Sequence, residues 1–484
     1  MFIVHSKPIT EIQKVETRLK NATERLNHAK NDLEEAKKQR VKIKDLVEHH
    51  QVIKLSTIQD WMPTLKLDGL SMVLHSTQLK QVDQDPDKVS ILKERRYNIK
   101  LPGTVVPSNQ MYSGRCWMFA GLNICRRFLI NHHSLKPTFE LSQSYLFFWH
   151  YFEQYTAMMN LFYYNKELPL VERAELLQKP LHDGGNWITF RRLVHKYGVV
   201  PKNMYRESWP SGHSSEMNKI LCDLLQRDIQ QCHSISNEQI FVTFRNERLK
   251  SILQILCSCM GTPPMKEFIS RVDTVRNEHL QFKGTPRSVF DTINNKIDID
   301  QYIQIIHDPR QPNLTWSTTQ HQSLRRVPEV FLNIVDIKQI CTAVTTSIQL
   351  QRGVWFACNM NEDVSPTLQG MAHGLYRPDK FIPDGNELSM SKIDRINWGR
   401  AACNHAMLIV GVETDESGVP RAFEIENSWG ATGPGKGFYK MTADWFHEHV
   451  YTVVIHHDIL LRAGIDMPER PEKMPEYPYY DLFG

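Results

Sequence analysis

Two polar residues at the ends of apolar strands constrain the fold of this chain more than any other sequence feature. His405 opens the apolar run "NHAMLIVGV", where a polar residue is otherwise out of place, and Asn427 closes the run "RAFEIEN". The separation of 22 positions (427 − 405) suits a strand and its return strand. An antiparallel pair of this kind brings the Asn427 side chain beside the His405 ring, and Trp429 follows closely enough to shield their hydrogen bond from water.

The rest of the chain predicts an α+β protein. Strands dominate from residue 353 onward, while 116–131 carry apolar positions at helical spacing and 213–300 are expected to be helices with charged faces. Hydrophobic residues make up 41% of the 484, which is ample for a large core. The net charge of +4 neither requires nor excludes a nucleic-acid partner.

Cys116 in "NQMYSGRCWMFAGLN" is a candidate nucleophile. Ser113 and Gly114 can turn the chain just before it, and a predicted helix then begins at the cysteine itself. A helix N-terminus presents free N–H groups and a partial positive charge, and both favour a thiolate. Gln110 lies six residues upstream, from where its amide can donate to the same oxyanion as the Cys116 N–H.

Simpler interpretations compete with this one. The chain has 21 histidines, and a single histidine at a strand end usually has a structural role. The odd number of cysteines, nine, scattered through a long chain favours reduced thiols and a cytoplasmic location over a disulfide framework. Cys257 and Cys259 have no second cysteine or histidine pair nearby, so no metal and no cofactor is expected.

The N-terminal part of the chain carries a separate pattern. Residues 9–60 contain neither glycine nor proline, and apolar residues recur at alternating spacings of three and four between 9 and 50. A coiled coil with a partner or a second copy, and a long helix lying on its own domain, are equally compatible with this seam. The basic stretch "KKQRVKIK" (37–44) leaves nucleic acid as a weaker alternative partner. No apolar run is long enough to cross a membrane.

The motifs around Cys116, His405 and Asn427 are similar to those of papain-like cysteine peptidases, and their order along the chain is the same. The Cys-to-His distance of 289 residues (405 − 116) exceeds the roughly 130–150 of simple members. Together with "SGRCW", the extra length resembles the bleomycin hydrolase family. Further matching runs are "ELSQSYLFFW" (140–149), "DGGNW…KYGVVPK" (183–202), "MGTPP" (260–264), "HDPR" (307–310) and "VWFACNM" (354–360).

The resemblance implies a two-lobed papain-like fold with a helical insertion at about 210–330. It places an N-terminal helical extension at 1–60, the peptidase domain at 61–484 and a tail at 466–484 directed to the active-site cleft. It also implies a homohexameric ring and a cytoplasmic aminopeptidase with broad side-chain preference, which also hydrolyses bleomycin and homocysteine thiolactone.

Individual roles follow from the matching motifs. Cys116 is implied as nucleophile, His405 as base and then acid, Asn427 as the group that orients the histidine, and Gln110 as oxyanion donor. The implied substrate-binding residues are Gly184, Gly185, Asn404, Trp429 and Gly484. In the family the terminal carboxylate, here that of Gly484, holds the free amine of the peptide.

The chain departs from the family pattern at its end, because "PYYDLFG" is a few residues shorter than the usual tail. Three missing residues would shift the terminal carboxylate by roughly 10 Å in extended chain. Endopeptidase or oligopeptidase action is therefore one alternative to aminopeptidase action. A scaffold or nucleic-acid-binding protein acting through the N-terminal helix is the other.

Overall fold

The computed structural model describes residues 55–64, 83–318, 330–382 and 388–465, with isolated positions at 23, 30, 34, 37, 38, 53, 77, 78, 477, 482 and 483. The chain divides into two compact units, 1–79 and 80–484. The first contains α1 (Leu55–Trp61) and a 3-10 turn (Met62–Thr64). The predicted coiled coil at 9–50 lies outside the described residues apart from isolated helical positions, and Gly484 also lies outside them. These features and the predicted domain boundary at 60/61 stay predictions.

The helices described in the second unit lie mostly in its first half. In chain order they are α2 (Pro86–Lys93), α3 (Cys116–His133), α4 (Gln143–Tyr164), α5 (Leu170–Gln178), α6 (Trp187–Tyr197), α7 (Trp209–Gly212), α8 (Ser215–His233), α9 (Glu238–Met260), α10 (Pro286–Ile297), α11 (Ile337–Gln349), α12 (Lys392–Asn397), α13 (Ala443–His449) and α14 (His457–Arg462). None of the helices in the described part of the chain combines the length and apolar character that crossing a membrane requires.

The strands described in the second unit lie mostly in its second half. They are β1 (Ile99–Lys100), β2 (Phe268–Asp273), β3 (His279–Gly284), β4 (Tyr302–Ile306), β5 (Thr315–Thr318), β6 (Val330–Asn333), β7 (Val354–Cys358), β8 (Val364–Ser365), β9 (Gly370–Met371), β10 (His405–Thr414), β11 (Pro420–Glu426), β12 (Phe438–Thr442) and β13 (Val450–His456). Among the described residues, eleven of them form one sheet in the order β5-β6-β4-β13-β7-β10-β11-β12-β9-β8, with β1 also paired to β10. The predicted α+β class is confirmed.

Strand β10 is buried on both faces and separates two cores. Ala406 and Leu408 belong to the larger apolar cluster, which contains the helices α3, α4 and α6. Met407 and Ile409 belong to a second cluster on the opposite face, packed with α11, α13 and α14. Because side chains alternate across a strand, one apolar run serves both cores. The start of β10 therefore lies where the helical part of the protein meets the sheet.

The region expected to be helical between 213 and 300 is helical only in part. The strands β2 and β3 form a two-stranded antiparallel hairpin within it. In "FISRVD" Phe268, Ser270 and Val272 are buried while the residues between them are exposed, which is the period of two that marks a strand. Asn277 lies in the hairpin turn with φ 59°, a left-handed conformation that asparagine tolerates well.

A buried ionic cluster ties α3 to β11. The Nε of Arg127 donates to Glu426 Oε2 at 2.7 Å, and Arg126 Nη1 lies 3.6 Å from Glu426 Oε1. The Glu426 side chain is fully buried. Cys116 begins the same helix, and Asn427 directly follows Glu426 at the end of β11. The cluster therefore fixes the position of Cys116 relative to Asn427.

We expect Glu426→Ala to lower the free energy of unfolding by about 3–5 kcal/mol, because it leaves two buried guanidinium groups without their carboxylate. The matched control is Asp223→Ala, which removes an exposed ion pair with Lys219 on α8 and is expected to lose less than about 1 kcal/mol. Urea unfolding at neutral pH measures both. Equal losses would show that the buried cluster contributes no more than a surface pair.

Candidate active site

The Cys116 thiol lies at the N-terminus of α3. The turn before it is held by the Gly114 amide, which donates to Asp183 Oδ2 at 2.8 Å. The carbonyl of Arg115 then accepts from the Met118 and Phe119 amides, at 2.9 and 3.1 Å, which starts the helix. The Trp117 amide precedes these first helical bonds, and it donates to the sulfur. The thiol is 8% exposed.

The His405 ring is held by Asn427 in one orientation. Asn427 Oδ1 accepts from the Ser428 amide at 2.8 Å, which identifies that atom as the oxygen. The His405 Nε2, 2.8 Å from the same oxygen, must therefore donate to it. The other ring nitrogen, Nδ1, is left for Cys116, with which the ring is also hydrogen-bonded. The strand and return strand expected from the sequence are β10 and β11, which pair antiparallel.

The thiol and the imidazole shift each other's pKa towards an ion pair. Burial opposes ionisation of Cys116, but the charge and hydrogen bond of His405 and the amides of Ala406 and Trp117 outweigh it and lower the pKa of the thiol. The Ala406 amide lies 3.4 Å from the sulfur. Burial likewise disfavours protonated His405, but Cys116 and Asn427 together raise its pKa. The arrangement suits a thiolate paired with an imidazolium.

Gln110 is fixed at the edge of the same site. Its Oε1 accepts from Ser428 Oγ and its Nε2 donates to the Ser113 carbonyl, each at 2.5 Å. The side chain is buried at 7% exposure and lines the cleft. An amide nitrogen carries two hydrogens, so one donor remains after the bond to Ser113. That donor and the Cys116 amide are the two groups available to an oxyanion.

Trp429 and Asn404 lie on either side of His405. The Trp429 ring is centred 4.9 Å from the imidazole, as expected of a shield, although the residue is 37% exposed. Asn404 is exposed, and its Oδ1 accepts from the Met360 amide at 2.9 Å. This bond holds the residue before His405 against the end of β7.

Gly184 and Gly185 form one wall of the cleft opposite His405. A Cβ on Gly185 would lie 2.6 Å from the Trp117 ring, closer than any side chain tolerates. The Trp117 Nε1 donates to the Asp183 carbonyl at 2.8 Å, which holds the indole against this wall. Backbone of this kind can approach a bound peptide closely, because no side chain intervenes.

The cleft has a volume of about 450 Å³ and also contains the end of the chain. Leu482 and Phe483 line it together with Cys116 and His405. Tyr477 anchors this segment, because its hydroxyl donates to the buried Asp308 carboxylate at 2.8 Å. Arg310 lies over the Tyr477 and Phe483 rings at 5.9 and 6.0 Å.

The structure brings together Cys116, His405, Asn427, Gln110 and the remaining predicted residues except Gly484, which lies outside the described part of the chain. Sequence reasoning missed two supporting residues. Asp183 accepts from Gly114, Tyr151 and Ser214, and Ser428 holds Gln110. Each lies beside a predicted site residue in the sequence, which is the signal that could have identified it: Asp183 precedes Gly184 and Gly185, and Ser428 follows Asn427.

Comparisons with known proteins agree with this geometry. The chain matches the Peptidase C1-like family over residues 51–477. It is 32% identical to Aminopeptidase C of Lactobacillus helveticus, over 73% of this chain and 80% of that protein. Aminopeptidase C of Lactobacillus delbrueckii subsp. lactis is 30% identical, over 80% and 85%. The crystal structure of PepW from Lactobacillus rhamnosis superposes with a TM-score of 0.78 at 26% identity, covering 88% of this chain and 97% of that one. The fold is that of papain-like cysteine peptidases.

We expect alkylation of Cys116 by iodoacetamide to reach half its maximal rate below the ordinary thiol pKa of about 8.5, because His405 and the helix amides stabilise the thiolate. His405→Ala is expected to move this midpoint to higher pH. Peptide mass spectrometry separates Cys116 from Cys257, a partly exposed thiol on α9 outside this cleft that serves as the internal reference. A midpoint that the substitution leaves unchanged would contradict the ion pair.

Proposed function

The chain belongs to the Peptidase C1-like family and is a cysteine-type aminopeptidase, and we propose that it acts on peptides with the broad side-chain preference of bleomycin hydrolase. One observation carries this proposal. The Cys116–His405–Asn427 arrangement and the end of the chain, Leu482 and Phe483, lie in the same cleft. The first supplies nucleophilic chemistry, and the second lines part of the cleft that a peptide substrate enters.

In the acylation step, the Cys116 thiolate attacks the carbonyl carbon of the scissile bond, and the carbonyl electron pair moves to oxygen. The Cys116 amide and the free N–H of Gln110 Nε2 stabilise that oxyanion. His405 then gives its Nδ1 proton to the leaving amine as the C–N bond breaks. The product is a thioester between Cys116 and the acyl part of the substrate.

In the deacylation step, His405 is neutral and accepts a proton from the attacking water. The second oxyanion collapses, the thioester C–S bond breaks, and the acid product leaves as the thiolate–imidazolium pair forms again. Asn427 keeps the ring in one orientation through both steps, since its oxygen is also held by the Ser428 amide. The Trp429 ring limits access of water to this hydrogen bond.

The tail supplies the preference for a free amine. Phe483 lines the cleft, and we propose that the carboxylate of Gly484, the next residue, binds the free amine of the substrate. A carboxylate there attracts the ammonium group of a peptide and repels an acidic one. We propose that the distance between this carboxylate and Cys116 sets how many residues lie on the amino side of the cut.

The proposal extends to a cytoplasmic homo-oligomer, a hexameric ring by resemblance to that family. We also propose a coiled-coil partner through residues 9–50 and, as a weaker alternative, a nucleic-acid partner. Apart from isolated positions, these residues lie outside the described part of the chain. Light scattering of the full chain and of a chain that begins at residue 80, which removes the first compact unit, tests the ring and the contribution of that unit.

The first test compares a free-amine aminoacyl fluorogenic amide with its N-blocked counterpart. We expect cleavage of the free-amine substrate only, and a loss of at least about 10³-fold with Cys116→Ala, since the thiolate is the nucleophile. Deletion after Tyr480 is expected to abolish the preference for the free amine. A chain with one glycine added after Gly484 keeps every native residue but moves the carboxylate by about 3.5 Å, so it is expected to change the preferred overhang.

Each other outcome has a definite meaning. Cleavage of the blocked peptide by the native chain would replace aminopeptidase with endopeptidase action. Loss of the preference in the deletion but no change in the extended chain would assign the effect to the Leu482 and Phe483 side chains. No cleavage of either substrate, with no effect of Cys116→Ala, would favour a scaffold role.

The pH profile of kcat/KM gives a second prediction. The lowered pKa of Cys116 sets the acid limb, because activity rises as the thiolate forms. The raised pKa of His405 sets the alkaline limb, because activity falls as the imidazolium loses its proton. We expect a bell-shaped profile around neutrality. A profile that is flat from about pH 5 to 9 would contradict the ion-pair mechanism.

A further inference from the structure

Three metal-ligating side chains meet away from the active-site cysteine. Asp363 directly precedes β8 and His373 closely follows β9, so the β8–β9 hairpin brings them together. His449, the last residue of α13, completes the group. One ligand atom from each lies within 4.8 Å of the others, and no other such group of three occurs in the described part of the chain.

His449 is the residue that needs an explanation. It is 2% exposed, and neither ring nitrogen has a hydrogen-bond partner. A buried polar group without a partner costs about 1–3 kcal/mol, and here two nitrogens are affected. An imidazole nitrogen that accepts no hydrogen bond keeps its lone pair free for a metal ion.

The other two residues have the geometry of ligands. The amides of Gly374 and Tyr376 donate to Asp363 Oδ2 and Oδ1, at 2.8 and 3.1 Å, which orients the carboxylate and leaves each oxygen further acceptor capacity. The Nδ1 of His373 lies 3.6 Å from Asp363 Oδ2, too far for a good hydrogen bond. The His373 side chain is 45% exposed, which provides an entry path and room for a water ligand.

We propose that Asp363, His373 and His449 bind one divalent transition-metal ion of the zinc class, with water as the fourth ligand. Two imidazoles and a carboxylate are a ligand set that zinc takes in proteins. Metal–ligand distances of about 2.0–2.2 Å place tetrahedral ligands roughly 3.4 Å apart. The three ligand atoms lie at most 4.8 Å apart, so they must draw together by up to about 1.4 Å (4.8 − 3.4), and His373 is the most exposed of the three residues.

The surrounding cations do not prevent binding. Arg395 pairs with Glu448 at 2.6 Å and Arg400 with Glu362 at 3.1 Å, so each arginine has its own carboxylate. Lys392 donates to the His447 and Val450 carbonyls at 2.8 and 2.7 Å, so its ammonium group is held by protein oxygens on either side of His449. The Asp363 carboxylate then offsets part of the charge of the metal ion.

The site joins the loop after β7 to the sheet. The His449 carbonyl accepts from the Asn359 amide at 3.0 Å, and the next residue, Val450, pairs with Cys358. Cys358 also pairs with His405. The ion therefore holds the loop next to the catalytic strand without contacting the reacting groups. Its role is structural, and it stabilises the folded chain by its binding free energy.

The experiment uses the full chain carrying Cys116→Ala, so that zinc cannot bind the catalytic thiolate and the result is independent of peptidase activity. Zinc content after dialysis, the shift of Tm on adding zinc and the absorption of the cobalt(II) form are measured. We expect one ion per chain, a raised Tm, and a cobalt spectrum of tetrahedral type without the thiolate charge-transfer band that cysteine ligation gives.

The variants separate this site from adventitious binding. His373→Ala removes an exposed ligand at little risk to folding and is expected to weaken zinc affinity at least about tenfold and to abolish the Tm shift. Asp363→Asn is expected to act in the same direction. The matched control is His279→Ala, whose histidine also contacts an aspartate, Asp273 at 3.0 Å, but belongs to no group of three. Unchanged zinc affinity in His373→Ala, or a thiolate band in the cobalt form, would overturn the proposal.

Discussion

The contact between the Ala406 amide and the Cys116 sulfur, at 3.4 Å, joins the helical part of the protein to the sheet at the point where chemistry occurs. It exists only because α3 packs on the face of β10 that carries Ala406 and Leu408. The buried cluster of Arg126, Arg127 and Glu426 holds the same helix against β11. The position of the thiol relative to His405 and Asn427 thus depends on the interface between the helical part and the sheet, and neither part contains the site alone.

This dependence explains the buried polar groups around the site. Ser428 contributes its amide to Asn427 and its hydroxyl to Gln110, so one residue fixes both the group that orients the histidine and the oxyanion donor. The Asp183 carboxylate likewise joins two groups, since it accepts from the Gly114 amide in the turn before Cys116 and from the Tyr151 hydroxyl. In a low-dielectric environment such hydrogen-bonded networks hold their groups rigidly, and rigid donors need no reorganisation when charge develops on the substrate.

The sequence allowed the α+β class, the strand pair of His405 and Asn427 and the helix at Cys116 to be predicted, because each shows in local periodicity or in a motif. Three features could not be read in this way. The bond between Gly114 and Asp183 spans 69 residues, and that between Tyr477 and Asp308 spans 169. Asp363, His373 and His449 are brought together by a hairpin and a helix end, and no spacing reveals that meeting. The β2–β3 hairpin lies in the stretch predicted to be helical, because its period-two pattern covers only six residues in each strand and stands between longer helical stretches.

Anchoring of Tyr477 to Asp308 makes the last residues of the chain a ligand that cannot diffuse away. A tethered segment occupies its site at an effective concentration on the order of millimolar, whatever the concentration of the protein. Small molecules that bind where Leu482 and Phe483 lie must therefore compete with this segment. An inhibitor whose contacts in the cleft avoid Leu482 and Phe483 escapes that competition, so two ligands of one cleft can differ in the affinity that they need.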